Sequence, residues 1–494
     1  MNSPDINLLT QLIVIDRADA LPIYRQIVQA IINAIQRGYL KIGNKFPGTR
    51  QLADKLSVHR KTVIAAFEDL QAQGWIEIKP NKGTYVIQED NKIFKRGTYN
   101  LHTSTSKYPS NTGYKFLKSN ILDFENKDID TKLVITDGLP DLRITDFKAV
   151  TSHYNAFLQR KNNIRKIQYN NFETHYSFRE QLANYLNLTR GLHIGSNNIQ
   201  TINSIESCLY IIAKVLIEPS DVVLVAKLTN QHINMCFLNA GAKIVTVDID
   251  RDGVVTTSLR KILSKLTVRA LYLMPHHHYP TTCILSRERR IEILELAHQY
   301  GFIIIEDDYD YDFNFEKSAI MPLASADTNG MAVYIGQFAK HLGNPFDLGY
   351  IVGPNELIQE ISKYKNLLQN NTDRILEHTL AQFISDGEIQ RQLKKSNKIY
   401  EKRRNFTAIK LLENFQSSVK FEIPESGLAY WLEFDKSLPL LKIADLCKKN
   451  NLHIPRNILY QNKNLTAIRF GFGNLDEQEI EESLNILATQ IKKV

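Results

Sequence analysis

Three groups of residues in this 494-residue chain have types and spacings that suit chemistry. Lys340 follows an apolar, strand-like run and precedes a Gly/Asn/Pro loop in YIGQFAKHLGNPFDLGY (334–350). A lysine amine placed in a pocket can act as a nucleophile, whereas a lone lysine in a Gly/Pro loop is usually a surface residue. The other two groups are an acidic run, EDDYDYDF (306–313), and three consecutive histidines at 276–278.

Metal binding is the first alternative for the acids and the histidines. Consecutive residues of an extended strand point to opposite faces, and no second ligand pair has metal spacing. We therefore predict no metal site. The acidic run could still be a solvated loop, but its position after the apolar strand of 301–308 favours a pocket.

Composition limits the class of protein. The chain is 43% hydrophobic and 23% charged, and its length suits two or three domains. Four scattered cysteines, no basic leader and no apolar run of membrane length predict a cytoplasmic protein. Residues 1–100 hold 14 Lys/Arg and 9 Asp/Glu, or +5 of the net +8. That excess suggests a polyanion partner, although a solvated basic face has the same composition.

The N-terminal elements have the order of a winged helix-turn-helix. Isoleucines on one stripe of 22–37 predict a helix, with Pro22 in its first turn and Gly38 at its stop. Thr49 is the predicted N-cap of a second helix. A third helix is predicted at 59–73, and two short strands follow around a Pro-Asn-Lys-Gly turn.

Basic and polar residues gather where such a domain meets DNA. We predict two groups of contacts, at the starts of the second and third helices and at the hairpin tip. They are Arg50, His59, Arg60, Lys61 and Thr62, and then Lys82, Gly83 and Thr84. The segments PIYRQI and PGTRQLADKLSVHRKTVIAAFEDLQAQGWIEIKPNKGTYV resemble the GntR family of bacterial regulators. That resemblance implies a double-stranded DNA operator as partner; a generic helical bundle is the alternative.

From residue 133 onward, strands alternate with helices, which predicts a mainly parallel α/β sheet. Strands are expected at 222–226, 242–249, 269–275, 301–308 and 332–338. GLPD (138–141), MPHHHYPTT (274–282), EDDYDYDF, the Lys340 segment and IRFGFGNL (468–475) resemble, in order, the aminotransferase-like domain of MocR regulators, a GntR subfamily. The resemblance implies a multidomain protein: a winged helix-turn-helix, then a fold-type I aminotransferase-like large domain with an α+β C-terminal subdomain. We expect domains at 10–88, 133–354 and 355–494, with a linker at 89–132 that is a flexible tether or a disordered spacer.

The MocR resemblance also implies site residues. Lys340 would be the Schiff-base lysine for pyridoxal 5'-phosphate, and Asp307 would pair with the ring nitrogen. Tyr309 would hydrogen-bond to the ring hydroxyl. Arg469 would bind the carboxylate of an amino-acid-like effector. A homodimer is implied as well.

The phosphate cup departs from the family pattern. Asp347 stands where the family has the phosphate-binding arginine, and Glu206 lies near the glutamine position of a loop that lacks its glycine. Two hydroxyls before the lysine become Gln337 and Ala339, and the ring-stacking aromatic falls at Asn230. Losing one cation and gaining two acids changes the local charge by about −3, and each contact is worth roughly 4 kcal/mol at an effective dielectric of about 20.

Three functions are therefore compared. The first is a DNA-binding regulator whose aminotransferase-like domain senses a small molecule through pyridoxal phosphate. The second is a regulator whose pocket no longer takes this cofactor and binds another ligand or only dimerises. The third is an aminotransferase with an appended DNA-binding domain, and it requires a competent phosphate cup, which the sequence argues against.

Overall fold

The computed structural model of the protein describes residues 6–17, 21–80, 82–87, 111–122, 131–161, 163, 172–315, 320–338, 348–368 and 373–494. The chain divides into two compact units, Met1–Lys115 and Phe116–Val494. Each is described by itself below. No helix among these residues is long and apolar enough to cross a membrane.

The first unit is a winged helix. Its elements are α1 (Ile6–Leu12), α2 (Ile23–Gln36), α3 (Thr49–Leu56), α4 (Arg60–Ala72), β1 (Ile76–Lys79) and β2 (Gly83–Val86). Helix α2 packs on α4 and buries the predicted stripe of Ile27, Ile31 and Ile35. Strands β1 and β2 are antiparallel, as the hairpin prediction required. The predicted architecture of this unit is confirmed.

Two local predictions about helix starts were wrong. Pro22 precedes α2 rather than lying in its first turn, because its ψ of 139° is extended. Its carbonyl still accepts the first bonds of the helix, from the N–H groups of Arg25 and Gln26. Thr49 is the first residue of α3, after Gly48, and no side chain caps that helix. The Thr49 hydroxyl is instead within 3.4 Å of Arg60 Nε.

The second unit contains the remaining elements. Its strands are β3 (Leu133–Val134), β4 (Ile199–Ile202), β5 (Val222–Ala226), β6 (Lys243–Val247), β7 (Ile249–Asp250), β8 (Gly253–Val254), β9 (Ala270–Leu273), β10 (Ile303–Asp307), β11 (Ala332–Gln337), β12 (Gly349–Val352), β13 (Ala429–Glu433), β14 (Leu452–His453), β15 (Leu459–Asn462) and β16 (Leu465–Gly471). Its helices are α5 (Phe147–Gln159), α6 (Phe172–Arg190), α7 (Ile205–Leu216), α8 (Gln231–Asn239), α9 (Thr256–Leu263), α10 (Arg287–Tyr300), α11 (Asn355–Leu368), α12 (Arg374–Ser385), α13 (Glu388–Phe415), α14 (Leu440–Lys449) and α15 (Glu477–Ile491).

A seven-stranded sheet organises this unit, in the order β4-β12-β11-β10-β9-β5-β6. The pairs from β11 across to β6 are parallel, and β12 pairs antiparallel with both of its neighbours. Parallel strands require helical crossovers, and their carboxyl ends lie at one edge of the sheet, where ligands bind in open α/β folds. The end of β10, with Asp307, lies at that edge.

A smaller antiparallel sheet, β13-β16-β15, is covered by α13, α14 and α15. Strand β3 pairs with β14, and Thr136 bridges to Gly471 of β16. The chain around residues 133–136 therefore shares its core with elements more than 300 residues away. The predicted fold class, α/β with an α+β C-terminal part, is confirmed.

Candidate functional site

The turn between α3 and α4 brings the starts of both helices together. Ser57 takes a left-handed conformation, φ 52°, which lets the chain reverse after α3. His59 then caps α4, because its Nδ1 accepts the backbone N–H of Lys61 at 3.2 Å. The 3.4 Å approach of Arg60 to Thr49 links the two helix starts. Free N–H groups at a helix start favour an anion such as phosphate.

Four of the predicted DNA-contacting side chains on these helices are exposed, and Thr62 is half-buried. The exposed four are Arg50, His59, Arg60 and Lys61. They present three permanent cations beside the N-terminus of α4. The geometry suits a recognition helix that approaches a polyanion end-on.

The hairpin tip adds a second basic surface. Lys82 is exposed, while Gly83 and Thr84 are half-buried. Gly83 has a φ of 117°, a backbone conformation that favours glycine, and the Lys45 side chain packs against it. The Thr84 carbonyl accepts the backbone N–H of Phe46 at 2.8 Å.

Sequence reasoning missed three residues of this wing. The ammonium groups of Lys45 and Lys79 lie 5.8 and 5.7 Å from the centre of the Tyr85 ring, at cation–π distance. Lys45 pairs with Tyr85 across the hairpin edge, and the separation of 40 residues hid that contact. The sequence signal for this contact was the basic NKFPGTR segment (44–50), which leads into α3.

In the second unit, the predicted acid Asp307 ends β10 and is buried. The Tyr272 hydroxyl of the neighbouring strand β9 donates to Asp307 Oδ2 at 2.5 Å. Burial, together with the Asp307 charge, raises the pKa of Tyr272 well above its ordinary value, so it remains a donor. Sequence reasoning missed Tyr272 because its contact depends on the register of two parallel strands.

Arg469 is fully buried on β16 and is held by three partners from distant segments. Its Nε donates to the Asp137 carbonyl at 2.7 Å, and Nη1 donates to the Pro280 carbonyl at 2.9 Å. Nη2 donates to the Tyr309 hydroxyl at 3.1 Å. The structure therefore brings together two predicted site residues, Tyr309 and Arg469. Tyr309 itself donates to the His277 carbonyl at 2.8 Å.

Four of the five sequence motifs meet around this guanidinium. Asp137 adjoins GLPD, Pro280 belongs to MPHHHYPTT, Tyr309 to EDDYDYDF and Arg469 to IRFGFGNL. Glycines permit the close contacts between motifs: a Cβ on Gly471 would lie 2.4 Å from the Gly138 nitrogen. The fifth motif carries Lys340, which, with Ala339 and Asp347, lies outside the described residues.

The first and third of the three consecutive histidines have separate partners. His276 Nδ1 lies 2.8 Å from Asp308 Oδ1, and its Nε2 lies 2.6 Å from the Ile320 carbonyl. His278 Nδ1 contacts the Thr281 hydroxyl at 2.8 Å, and burial beside Arg469 lowers the pKa of His278 to about 3. Within the described part of the chain, no group of three His, Cys, Asp or Glu residues is placed to hold a metal ion.

The start of α7 carries Glu206, which the sequence predicts to lie near the phosphate cup. Ser204 caps the helix by accepting the Ser207 N–H at 3.1 Å, so one free donor is already used. Glu206 is exposed in the first turn, where its charge complements the helix dipole. Asn230 likewise caps α8, accepting the His232 N–H at 3.0 Å. Each of these caps thus uses one backbone N–H of its helix start.

Comparison with known proteins agrees with this geometry. Residues 146–487 match the family of aminotransferases of class I and II, and residues 23–86 match the bacterial regulatory proteins of the gntR family. Fold and site thus define an aminotransferase-like protein with a DNA-binding domain at its N-terminus. The chain belongs to the class I and II aminotransferase family, and its two-domain organisation is that of the MocR-type regulators.

Individual relatives are similar to this chain over most of its length. The chain is 23% identical over 489 residues to the probable rhizopine catabolism regulatory protein MocR of Rhizobium meliloti, covering 96% of this chain and 95% of that protein. It is 24% identical to the regulator TauR of Rhodobacter capsulatus, with 82% of each covered. The kynurenine aminotransferase of Pyrococcus horikoshii matches with a TM-score of 0.67 and 22% identity, over 73% of this chain and 91% of that one.

Proposed function

We propose that this protein is a cytoplasmic transcription regulator that binds operator DNA through α4 and the wing. The observation that carries the proposal is the cluster of exposed cations at the start of α4, on a helix already capped and tied to α3. The predicted contacts at Arg50, His59, Arg60, Lys61, Thr62, Lys82, Gly83 and Thr84 are its DNA-binding surface. Two such domains in a homodimer would read two half-sites.

Arg60→Ala tests this surface. Loss of one phosphate contact should weaken duplex binding and reduce the magnitude of the salt slope by about 1. The measurement is fluorescence anisotropy of a labelled duplex across a salt series. Arg37→Ala, an exposed arginine at the end of α2, is the matched control and should leave both quantities unchanged. A duplex affinity that changes neither with salt concentration nor with Arg60→Ala would contradict the proposal.

We further propose that the second unit senses a small carboxylate without turning it over. A guanidinium has five N–H groups, and three of those on Arg469 donate to the partners described above. A carboxylate that reached Arg469 would compete with the carbonyls of Asp137 and Pro280, which belong to two different loops. Its binding would favour a different placement of those loops, which is how a ligand shifts a population.

We propose that pyridoxal phosphate is held poorly at the phosphate end of this pocket. Asp307 would suit the ring nitrogen, but the start of α7 is capped by Ser204 and carries Glu206. In the sequence, Asp347 replaces the cationic partner of the phosphate. We therefore favour a regulator that does not retain this cofactor tightly, with Lys340 marking its ancestry.

Placing an arginine at position 347 tests whether the missing cation weakens binding of pyridoxal phosphate. The wild-type protein, mixed with an equimolar amount of pyridoxal phosphate, should show no visible absorption from bound cofactor. Asp347→Arg combined with Glu206→Gln should raise the affinity for the cofactor by about 100-fold, since each favourable charge contact is worth several kcal/mol before compensation. Lys340→Ala in that background should abolish the absorption band. A strong band in the wild type, lost in Lys340→Ala, would refute the cup argument and leave the DNA-binding proposal intact.

A further inference from the structure

The longest helix of the second unit, α13, has two opposite faces. One face buries residues such as Ile389, Tyr400, Thr407 and Leu411 against the core. The other face is exposed and carries Lys394, Lys395, Lys398 and Lys402. Spacings of three and four residues place these lysines on one stripe, since a helix turns once every 3.6 residues. We call these four residues the lysine stripe.

The stripe is not neutralised by neighbours. Among the described residues, none of its four ammonium groups has an ion-pair partner, whereas Arg391 pairs with Glu388 and Lys410 pairs with Glu413 and Glu481 at the two ends of the helix. Residues 388–402 hold five Lys/Arg and two Asp/Glu, giving a local charge of +3. Like charges repel one another along a helix face, so an anion bound at this face would relieve the repulsion.

We infer that the lysine stripe is a second DNA-binding surface, which contacts the phosphate backbone outside the sequence read by the winged helix. At 1.5 Å per residue, the stripe extends about 12 Å, which is enough for several phosphates of one duplex. Lysine suits this role because it is a flexible point charge that binds phosphate without reading bases. The inference builds on the proposed regulator function and adds a sequence-independent contact made by the aminotransferase-like unit.

Two duplexes of unrelated sequence separate this surface from the winged helix. The short one, of about 15 bp, accommodates a single DNA-binding domain, and the long one, of about 40 bp, offers flanking backbone over several more turns. The full-length triple variant Lys395→Gln, Lys398→Gln, Lys402→Gln should lower the magnitude of the salt slope on the long duplex by about 2 to 3. On the short duplex, its slope and affinity should equal those of the wild type.

The matched control removes the same charge from α14. Lys442→Gln, Lys448→Gln, Lys449→Gln changes three exposed lysines of the same unit and should leave both slopes unchanged. Equal effects of the two triple variants, or no effect of the stripe variant on the long duplex, would overturn the inference and leave a solvated helix face. Arg60→Ala should weaken binding to both duplexes. If Arg60→Ala has no effect while the stripe variant does, the proposal for the winged helix fails and this one stands.

Discussion

Gly471→Ala should strongly destabilise the second unit. A Cβ at residue 471 would lie 2.4 Å from both the Gly138 nitrogen and the Thr136 oxygen. Both atoms are backbone, so no side-chain rotation relieves the clash. The Gly471 N–H also donates to the Thr136 carbonyl at 2.9 Å, and a shift of either strand would break that bond.

The expected cost combines overpacking with a lost hydrogen bond, about 3 to 4 kcal/mol in free energy of unfolding. Thermal unfolding followed by circular dichroism should show the melting transition of the second unit lowered by several degrees. The winged-helix unit is compact by itself, so affinity for a short duplex should persist.

Gly195→Ala is the control, because the nearest atom to its added Cβ is the Asn198 side-chain oxygen at 4.0 Å. Its melting temperature should stay close to that of the wild type. An unchanged transition in Gly471→Ala would show that segments 136–138 and 471 are not in the close contact described here.

Local patterns in the sequence were sufficient for most individual elements. The apolar run 222–226 predicts β5 with the bounds observed, and α15 begins at Glu477 with Asp476 as its N-cap. The Asp476 side chain accepts the Glu479 N–H, and the Glu479 side chain accepts the Asp476 N–H. These two bonds form a capping box that lies within four consecutive residues. Such features depend on neighbours in sequence, so the sequence predicts them directly.

The partners of the site residues could not be predicted in the same way. The sequence singles out Arg469 but gives no reason to expect the carbonyls of Asp137 and Pro280 beside it, 332 and 189 residues away. Both acceptors are backbone carbonyls, which every residue possesses, so their residue types carry no signal. The bridge between Thr136 and Gly471 brings the Asp137 carbonyl beside β16.

The resemblance to family motifs identified the segments around residues 138 and 471 but did not predict that they are in contact. GLPD and IRFGFGNL were recognised as family signatures, and the structure shows that their glycines allow the two segments to touch. Asp141, the acidic residue of GLPD, also holds distant segments together. Asp141 is buried, accepts the Arg143 Nε at 2.8 Å through Oδ1, and accepts Arg403 Nη2 at 2.8 Å through Oδ2.

Asp141→Asn should therefore lower the free energy of unfolding by about 3 to 5 kcal/mol near neutral pH, because the buried Arg403 cation would lose its counter-charge. Arg403 also donates to the Gly473 carbonyl at 2.7 Å, so its displacement would disturb the chain beyond β16. The measurement is urea unfolding of wild type and variant at a series of pH values. Glu413→Gln, which breaks the exposed pair with Lys410, should change the same quantity by less than about 1 kcal/mol.

The pH dependence separates a charge effect from a packing effect. Burial alone would raise the pKa of Asp141, but hydrogen bonds from Arg143 and Arg403 outweigh it and hold the pKa below its ordinary value of 3.8. An acid whose pKa is depressed in the folded state stabilises the fold above its unfolded pKa, and this contribution is lost as pH falls through the folded pKa. The difference between wild type and Asp141→Asn should thus be constant at neutral and mildly acidic pH and should shrink once pH falls below about 4. A difference that stays constant through that range would assign the loss to packing and not to the carboxylate charge.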